Sequence, residues 1–244
     1  MRQFGLIGYP LSHSFSPTYF KAKFEQENII DALYSLYELK SIEEFPSLLK
    51  LNSHLHGLNV TIPYKTSVVP FLDELDNTAK GVGAVNTISF KNRKLIGYNT
   101  DVIGFKISLL NFIGDERPDA LVLGTGGSSK AVIYILNELN ILYQRVSRIK
   151  QNNFLCYSDL NADIIEKHKL IINCTPLGKS PNIDSKPSLP YPILTVKHFL
   201  FDLNYNPAQT AFLETGKQQG ASVKNGYEML TLQADAAWEI WNKD

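Results

Sequence analysis

The chain has 244 residues, its 24 Lys and Arg residues balance 24 Asp and Glu residues, and 44% of it is hydrophobic. This length lies between one large domain and two small ones, and the neutral balance argues against a protein that coats nucleic acid and against an acidic solvating tail. No apolar run is long enough for a membrane span, no signal-peptide pattern begins the chain, and Cys156 and Cys174 fit reduced core thiols, so we expect a cytoplasmic protein.

The first part of the chain alternates short apolar runs with helical segments, a pattern typical of an α/β fold with mostly parallel sheets. Ser16 and Pro17 predict a helix start, with the serine as N-cap and the proline in the first helical position. The elements expected here are strands at 4–8, 32–39, 55–62, 84–90 and 95–99, and helices at 16–28, 42–51 and 101–112.

A polar segment at 114–118 ends this series and predicts a domain boundary. A second alternating series follows it, interrupted by a proline-rich loop at 176–192. The elements expected here are strands at 120–123, 142–148, 169–174, 199–203 and 221–224, and helices at 128–139, 208–219 and 227–241.

A glycine-rich turn joins the strand at 120–123 to the following helix. Glycines permit a tight turn and close backbone approach, and the first N–H groups of a helix attract an anion. A simple loop between a strand and a helix is the alternative, but the strand–turn–helix context favours a dinucleotide-binding turn. The residues of this turn are Gly124, Thr125, Gly126, Gly127, Ser128 and Ser129.

The end of the next strand bears on the choice between NAD and NADP. An acidic residue at this position binds the ribose of NAD, whereas a cation suits the 2′-phosphate of NADP. Here the strand ends in Ser147 and Arg148, with no acidic residue. A solvated loop arginine is the ordinary alternative, but these two residues favour NADP, with the arginine on the phosphate and the serine donating a hydrogen bond.

Three sites carry polar side chains where the pattern favours apolar ones. Asn59 and Thr61 share one face of an expected strand, Gln233 interrupts the apolar stripe of the last helix, and Asp101 begins a helix. Each has an explanation without a ligand: a solvated strand face for Asn59 and Thr61, a buried hydrogen bond for Gln233, and a contact with the helix dipole for Asp101. Strand ends and helix interruptions also line ligand sites, so both interpretations stay open. The histidines show no ligand spacing, and we expect no metal site.

Seven short motifs follow one another between Gly8 and Trp241. They are Gly8-x-Pro10-x-x-His13-Ser14-x-Ser16-Pro17, Asn59-Val60-Thr61-x-Pro63-x-Lys65, Gly83-Ala84-Val85-Asn86-Thr87, Gly97-x-Asn99-Thr100-Asp101-x-x-Gly104, Asn173-Cys174-Thr175-Pro176-Leu177-Gly178, Asp202-Leu203-x-Tyr205-Asn206-Pro207 and Gly226-x-x-Met229-Leu230-x-x-Gln233-Ala234. In this order, together with the glycine-rich turn, they resemble the shikimate dehydrogenase family.

The resemblance implies an α/β fold with two domains and a cleft between them. Residues 1–104 plus 226–244 would form a discontinuous substrate-binding domain, and residues 105–225 an NADP-binding Rossmann-like domain. The implied activity is the NADPH-dependent, reversible reduction of 3-dehydroshikimate to shikimate, in chorismate and aromatic amino acid biosynthesis. The implied partners are this small molecule and NADP, with no nucleic acid, no membrane, and a monomer or homodimer.

The resemblance also implies residue roles by position. Lys65 would be the acid/base residue, paired with Asp101, which would also read a ring hydroxyl. The substrate carboxylate would be held by Ser14, Ser16 and Tyr205, and the ring hydroxyls by Thr61, Asn86 and Gln233 with Asn59 in support. The cofactor site would be lined by Gly124, Thr125, Gly126, Gly127, Ser128, Ser129, Ser147, Arg148, Thr175, Leu203, Gly226 and Met229.

Three other functions stay open beside this one. An NAD-dependent quinate/shikimate dehydrogenase is disfavoured by Arg148, and a non-catalytic ligand-binding relative is disfavoured by the presence of both Lys65 and Asp101. Methylenetetrahydrofolate dehydrogenase shares the two-domain plan, but it gives no reason for the loop that carries Ser14 and Ser16.

Overall fold

The computed structural model describes residues 1–12, 14–150 and 153–243. The chain divides into two compact units, here called the first unit (Met1–Asp101 and Gln233–Asp244) and the second unit (Val102–Leu232). Within the described ranges, no helix combines the length and the apolar sequence that crossing a bilayer requires.

The first unit is built on a mixed sheet of six strands. The strands are β1 (Arg2–Gly8), β2 (Ala32–Glu38), β3 (Leu55–Val60), β4 (Glu74–Leu75), β5 (Thr87–Lys91) and β6 (Lys94–Tyr98). The helices are α1 (Ser16–Gln26), α2 (Phe45–Leu51) and α3 (Asn77–Val82).

The strand order in this sheet is β2-β1-β3-β5-β6-β4. Strands β1, β2 and β3 are parallel, whereas β5 runs antiparallel to both β3 and β6. The end of β3, the start of β5 and the end of β6 therefore lie at one edge of the sheet. The pairing of Asn59 with Thr87, and of Thr87 with Tyr98, sets this register.

The end of the chain packs on the centre of this sheet. A Cβ atom on Gly57 of β3 would lie 2.2 Å from Nε1 of Trp241, so only glycine leaves room for the indole. The same nitrogen donates a hydrogen bond to the carbonyl oxygen of Ile88 at 3.0 Å. The ring of Phe4 stacks on Trp241 with centroids 4.8 Å apart, which completes a buried aromatic cluster.

The second unit is built on a parallel sheet of six strands. The strands are β7 (Ala120–Leu123), β8 (Tyr143–Ser147), β9 (Leu155–Cys156), β10 (Leu170–Asn173), β11 (Phe199–Asp202) and β12 (Ser222–Lys224). The helices that follow Thr100 in the chain are α4 (Asp101–Ile113), α5 (Gly127–Glu138), α6 (Ala162–Lys167), α7 (Ala211–Gln218) and α8 (Tyr227–Asn242).

The strand order here is β12-β11-β10-β7-β8-β9, with every pairing parallel. Numbered from β7, this is the order 6-5-4-1-2-3 of the doubly wound dinucleotide-binding fold. The chain reverses direction across the sheet between β7 and β10, and ligands of such sheets bind at the carboxyl ends beside this switch point. All residues of both strands are buried, as expected for a sheet covered on two faces.

The predicted α/β class is confirmed, with differences in detail. Phe15 rather than Ser16 is the N-cap residue of α1, which has no side-chain cap. The predicted helix at 42–51 begins with a 3-10 turn over Ile42–Glu44. The short elements β4, α3, β9 and α6 were not predicted, because two to six residues are too few to show a periodic pattern. Both cysteines are free thiols and half-buried as residues, and burial raises the pKa of the Cys174 thiol.

Candidate active site

A buried ion pair lies at the edge of the first unit's sheet where β3 and β6 end. Nζ of Lys65 donates to Oδ2 of Asp101 at 2.6 Å, and the two side chains are 13% and 7% exposed. The backbone of the lysine is held by a hydrogen bond from Val85 N to its carbonyl oxygen at 2.7 Å. Asp101 begins α4, where the helix dipole stabilises a carboxylate. Each charge thus compensates the other in a place where an unpaired charge would be costly.

Asn86 joins this pair to its surroundings. Its Nδ2 lies 2.9 Å from Oδ1 of Asp101, 2.9 Å from Oγ1 of Thr100 and 3.2 Å from Oε1 of Gln233. Its Oδ1 accepts a hydrogen bond from the backbone N–H of Thr100 at 2.7 Å. An amide has only two N–H hydrogens, so the three acceptors compete for them. Asn86 therefore places Gln233 next to the carboxylate of the ion pair.

Asn59, at the end of β3, belongs to the same network. Its Oδ1 accepts from the hydroxyl of Tyr34 at 2.8 Å, and its Nδ2 donates to Oγ1 of Thr87 and to the carbonyl of Asn86. The solvated-face interpretation of this residue was wrong, because its side chain is buried within polar partners. Ile62, the last residue of the strand predicted at 55–62, is 60% exposed because β3 ends at Val60.

The predicted carboxylate-binding serines stand at the start of α1. Oγ of Ser14 accepts a hydrogen bond from Ser16 N at 3.4 Å, and the Ser16 side chain lies near the hydroxyl of Tyr34. Thr61, half-buried just after β3, is fixed by a hydrogen bond from its N–H to Ile7 O at 2.9 Å. His13, which belongs to the same sequence motif, lies outside the described residues.

In the second unit, the glycine-rich turn after β7 has the properties that a pyrophosphate needs. Gly124 has φ +104°, and a Cβ there would lie 3.0 Å from Cγ2 of Thr175. A Cβ on Gly126 would meet nothing within 4 Å, so the turn is open in front of the first residues of α5. Ser129 is buried and donates to the carbonyl oxygen of Gly126 at 2.7 Å, which holds the turn against the helix. The open turn and the helix N-terminus fit an anionic group.

Ser147 and Arg148 lie beside this turn. Val146 pairs with Leu123, so the two strands end side by side. Oγ of Ser147 accepts from Ile149 N at 3.3 Å, whereas Arg148 is exposed and pairs with no carboxylate of the described residues. An exposed guanidinium at this strand end fits a 2′-phosphate.

A polar network orders the loops after β10 and β11. Oδ1 of Asp202 accepts from Asn173 Nδ2 at 3.0 Å and from both nitrogens of Asn204 at 3.0 Å, and Oδ2 accepts from Thr210 Oγ1 at 2.6 Å. In turn Asn173 Oδ1 accepts from N and Oγ1 of Thr175 at 3.0 and 2.6 Å. Burial raises the pKa of Asp202 to about 6, against the effect of its hydrogen bonds.

The same network holds the other predicted cofactor residues of the second unit. Asn204 accepts a backbone hydrogen bond from Gly226 at 3.0 Å, and a Cβ on this glycine would lie 2.2 Å from the carbonyl oxygen of Leu203. Met229 is buried on the first turns of α8, and Tyr205 is half-buried after β11.

Sequence reasoning missed four residues that hold these sites together. Asn173 and Asp202 open two of the recognised motifs, so their position was visible but their role was not. Tyr34 and Asn204 gave no signal, because a tyrosine in a strand and an asparagine in a loop are ordinary residues there.

The two units together define a class of protein. The second unit has the strand order and the glycine turn of a Rossmann-type dinucleotide-binding domain. The first unit carries a buried Lys–Asp pair among amide and hydroxyl side chains. This combination is that of a dinucleotide-dependent α/β oxidoreductase with a polar substrate.

Comparison with known proteins gives the family. Residues 6–88 match the family model of the shikimate dehydrogenase substrate binding domain. The chain is 39% identical to a shikimate dehydrogenase (NADP(+)) of Clostridium beijerinckii, over 100% of this chain and 93% of the relative. It is 36% identical to the enzyme of the same name from Methanococcus vannielii, over 97% and 90%.

A solved structure agrees with these relatives. Shikimate 5-dehydrogenase from Thermus thermophilus, crystallised in complex with NADP(H) and shikimate, matches with a TM-score of 0.87 at 28% identity, over 99% of this chain and 93% of that one. The chain belongs to the shikimate dehydrogenase family. This confirms the resemblance and the fold class that the motifs predicted.

Proposed function

We propose that the protein catalyses the NADP-dependent, reversible reduction of 3-dehydroshikimate to shikimate, a step of chorismate and aromatic amino acid biosynthesis. The observation that carries this proposal is the buried ion pair of Lys65 and Asp101, held by Asn86 at the strand edge of the first unit. Apart from Tyr205, the residues assigned to the substrate belong to the first unit, and those assigned to the cofactor belong to the second. We further propose that the enzyme acts in the cytoplasm as a monomer or homodimer.

The chemistry needs a proton donor where negative charge develops. NADPH, when bound, supplies the hydride that adds to the carbonyl carbon of the substrate. Nζ of Lys65 donates a proton to the carbonyl oxygen and takes it back in the reverse direction. Asp101 accepts the hydrogen bond of the ammonium group, which orients it.

Substrate recognition is assigned to hydroxyl and amide groups. Three residues bind the carboxylate: Ser14, Ser16 and Tyr205. The ring hydroxyls contact Thr61, Asn86, Asp101 and Gln233, with Asn59 in support. The hydrogen bonds of Asn86 to Asp101 and Gln233 support this arrangement, because they fix three of these groups before the substrate arrives. A site that hydrogen-bonds each hydroxyl rejects analogues that lack one.

Cofactor binding is assigned to the carboxyl edge of the second unit's sheet. The turn from Gly124 to Ser129 would hold the pyrophosphate, and Ser147 with Arg148 would hold the 2′-phosphate. The remaining contacts come from Thr175, Leu203, Gly226 and Met229. The open space at Gly126 and the exposed guanidinium of Arg148 support this assignment.

A spectrophotometric assay of NADP⁺ reduction tests the proposal. Shikimate and quinate are compared as substrates, each with NADP⁺ and with NAD⁺. The expected result is turnover with shikimate and NADP⁺ at the highest kcat/KM of the four combinations. A higher kcat/KM with NAD⁺, or with quinate, contradicts the assignment and favours a quinate/shikimate dehydrogenase.

A further inference from the structure

Tyr34 is a buried residue of β2 that has no part in the mechanism above. Its hydroxyl donates to Oδ1 of Asn59 at 2.8 Å. The Ser16 hydroxyl at the start of α1 lies near this phenol, where it lowers the pKa of Tyr34 against the larger effect of burial. Tyr34 thus contacts both the start of α1 and the end of β3.

The position of this hydroxyl is set by ring packing. The ring of Tyr34 stacks on Phe20, with centroids 4.3 Å apart and an angle of 15° between the planes. Phe20 follows Ser16 by four residues on α1, so the two lie on the same face of the helix. The helix therefore brings a ring against the tyrosine ring and a hydroxyl against the tyrosine hydroxyl. Burial also raises the pKa of Tyr34, so the phenol stays neutral and remains a donor.

The two contacts of Tyr34 have different consequences. The hydrogen bond to Asn59 fixes which end of that amide is the acceptor, and so directs Nδ2 toward Thr87 and the carbonyl of Asn86. The stacking of the Tyr34 ring on Phe20 holds α1, on which Ser16 stands one helical turn before the phenylalanine. Both the amide and the start of the helix are therefore ordered before a ligand binds.

We propose that Tyr34 is a positioning residue for the substrate: its ring holds the start of α1, which carries Ser16, and its hydroxyl holds Asn59, which in turn orders Asn86 and Thr87. This inference rests on the proposed function of the first unit. Removal of the phenol hydroxyl leaves Oδ1 of Asn59 buried without its donor, so the amide can turn away from its present partners. Because Tyr34 belongs to the unit assigned to the substrate, the effect falls on substrate affinity rather than on the cofactor.

The test is the variant Tyr34→Phe, which keeps the ring and its stacking. The matched control is Tyr191→Phe, which also removes one buried hydroxyl bond, to Pro187 O at 2.9 Å, but in the second unit. We expect the KM for shikimate to rise about tenfold in Y34F, with the KM for NADP⁺ unchanged within about twofold. Y191F leaves both KM values unchanged, and thermal unfolding is measured on both variants to compare their folding.

A second measurement isolates the hydrogen bond to Asn59. The Tyr34 hydroxyl acts through the Asn59 amide, so the effects of Y34F and N59A on the shikimate KM are expected to be non-additive in the double variant. Additive effects, an unchanged shikimate KM in Y34F, or a parallel rise in both KM values overturns the role of Tyr34 while the proposed function stands. A wild-type protein without shikimate-dependent turnover overturns the proposed function, and this inference with it.

Discussion

Asn86 and Lys65 bind opposite oxygens of one carboxylate: Nδ2 of the asparagine lies 2.9 Å from Oδ1 of Asp101, and Nζ of the lysine lies 2.6 Å from Oδ2. The carboxylate is therefore held from both sides and cannot turn without losing one partner. Such a group is suited to orient the ammonium rather than to exchange protons itself, which supports the proposal that Lys65 transfers the proton.

The first prediction concerns this lysine. We expect Lys65→Ala to lower kcat by about 10²- to 10⁴-fold, because the proton donor to the developing oxyanion is lost. Shikimate binding, measured by isothermal titration calorimetry, remains detectable, since the hydroxyl and amide contacts stay in place. The matched control is Lys94→Ala, which removes an exposed lysine paired with Glu74 in the same unit and leaves kcat unchanged. Wild-type turnover in K65A would contradict the assigned role.

The second prediction concerns Asp202 and pH. Because burial raises its pKa from 3.8 to about 6, the folded protein binds this proton more tightly than the unfolded chain between these values. The carboxyl contribution to the free energy of unfolding therefore falls as pH rises from about 4 to 6, by up to about 3 kcal/mol. Asp202→Asn lacks this contribution.

Urea unfolding of both proteins at pH 4.5 and pH 7 measures the effect. The stability of the wild type relative to D202N is expected to be greater at pH 4.5 than at pH 7. Burial lowers the pKa of His198, which reduces stability below its ordinary pKa, but this residue is present in both proteins and cancels in the difference. A difference that does not change with pH contradicts the raised pKa.

The fold was predictable where local signals were strong. The strand at 120–123 has the predicted bounds, because a wholly apolar run is bounded by Pro118 on one side and Gly124 on the other. The short helix α6 also begins at a clear local signal, since Asn161 caps its N-terminus. Its six residues, however, are too few to show a helical period of apolar residues. Length rather than chemistry therefore separates the elements that were predicted from those that were missed.

The candidate site was predictable only where motifs marked it. The contact between Lys65 and Asp101 follows from two motifs that the sheet brings to one edge. The part played by Tyr34 depends on partners from α1 and β3, which no local pattern on β2 reveals. In a sequence, residues that order a site through tertiary contacts look like ordinary core residues. Only the three-dimensional structure distinguishes the two.

The third prediction concerns cofactor choice. We expect Arg148→Ala to raise the KM for NADP⁺ by about tenfold or more while the KM for NAD⁺ stays unchanged, because a charge-assisted bond to the 2′-phosphate is lost. Arg117→Ala is the matched control: this exposed arginine precedes β7, at the amino end of the strands, and bonds only to the carbonyls of Gly114 and Glu116 among the described residues. Equal changes for both cofactors in R148A would assign the arginine to the adenine or pyrophosphate instead.

The last prediction separates the two roles of glycine in the turn after β7. Gly124 has φ +104°, and a Cβ added there would lie 3.0 Å from its nearest neighbour, so Gly124→Ala is expected to lower the free energy of unfolding by about 1–2 kcal/mol. Gly126 has φ −74° and open space in front of it, so Gly126→Ala folds with an unchanged midpoint of thermal unfolding.

The same alanine on Gly126 projects into the space in which we propose that the pyrophosphate binds, at the start of α5. We therefore expect the KM for NADP⁺ to rise about tenfold in G126A, with the KM for shikimate unchanged. Thermal unfolding compares the stability of the two variants, and steady-state kinetics compares their KM values for NADP⁺ and shikimate. The Gly126 methyl does not affect folding, so it weakens NADP⁺ binding only if a bound group fills the open side of the turn. A loss of cofactor affinity in G124A alone, with G126A like the wild type, would therefore place the pyrophosphate elsewhere.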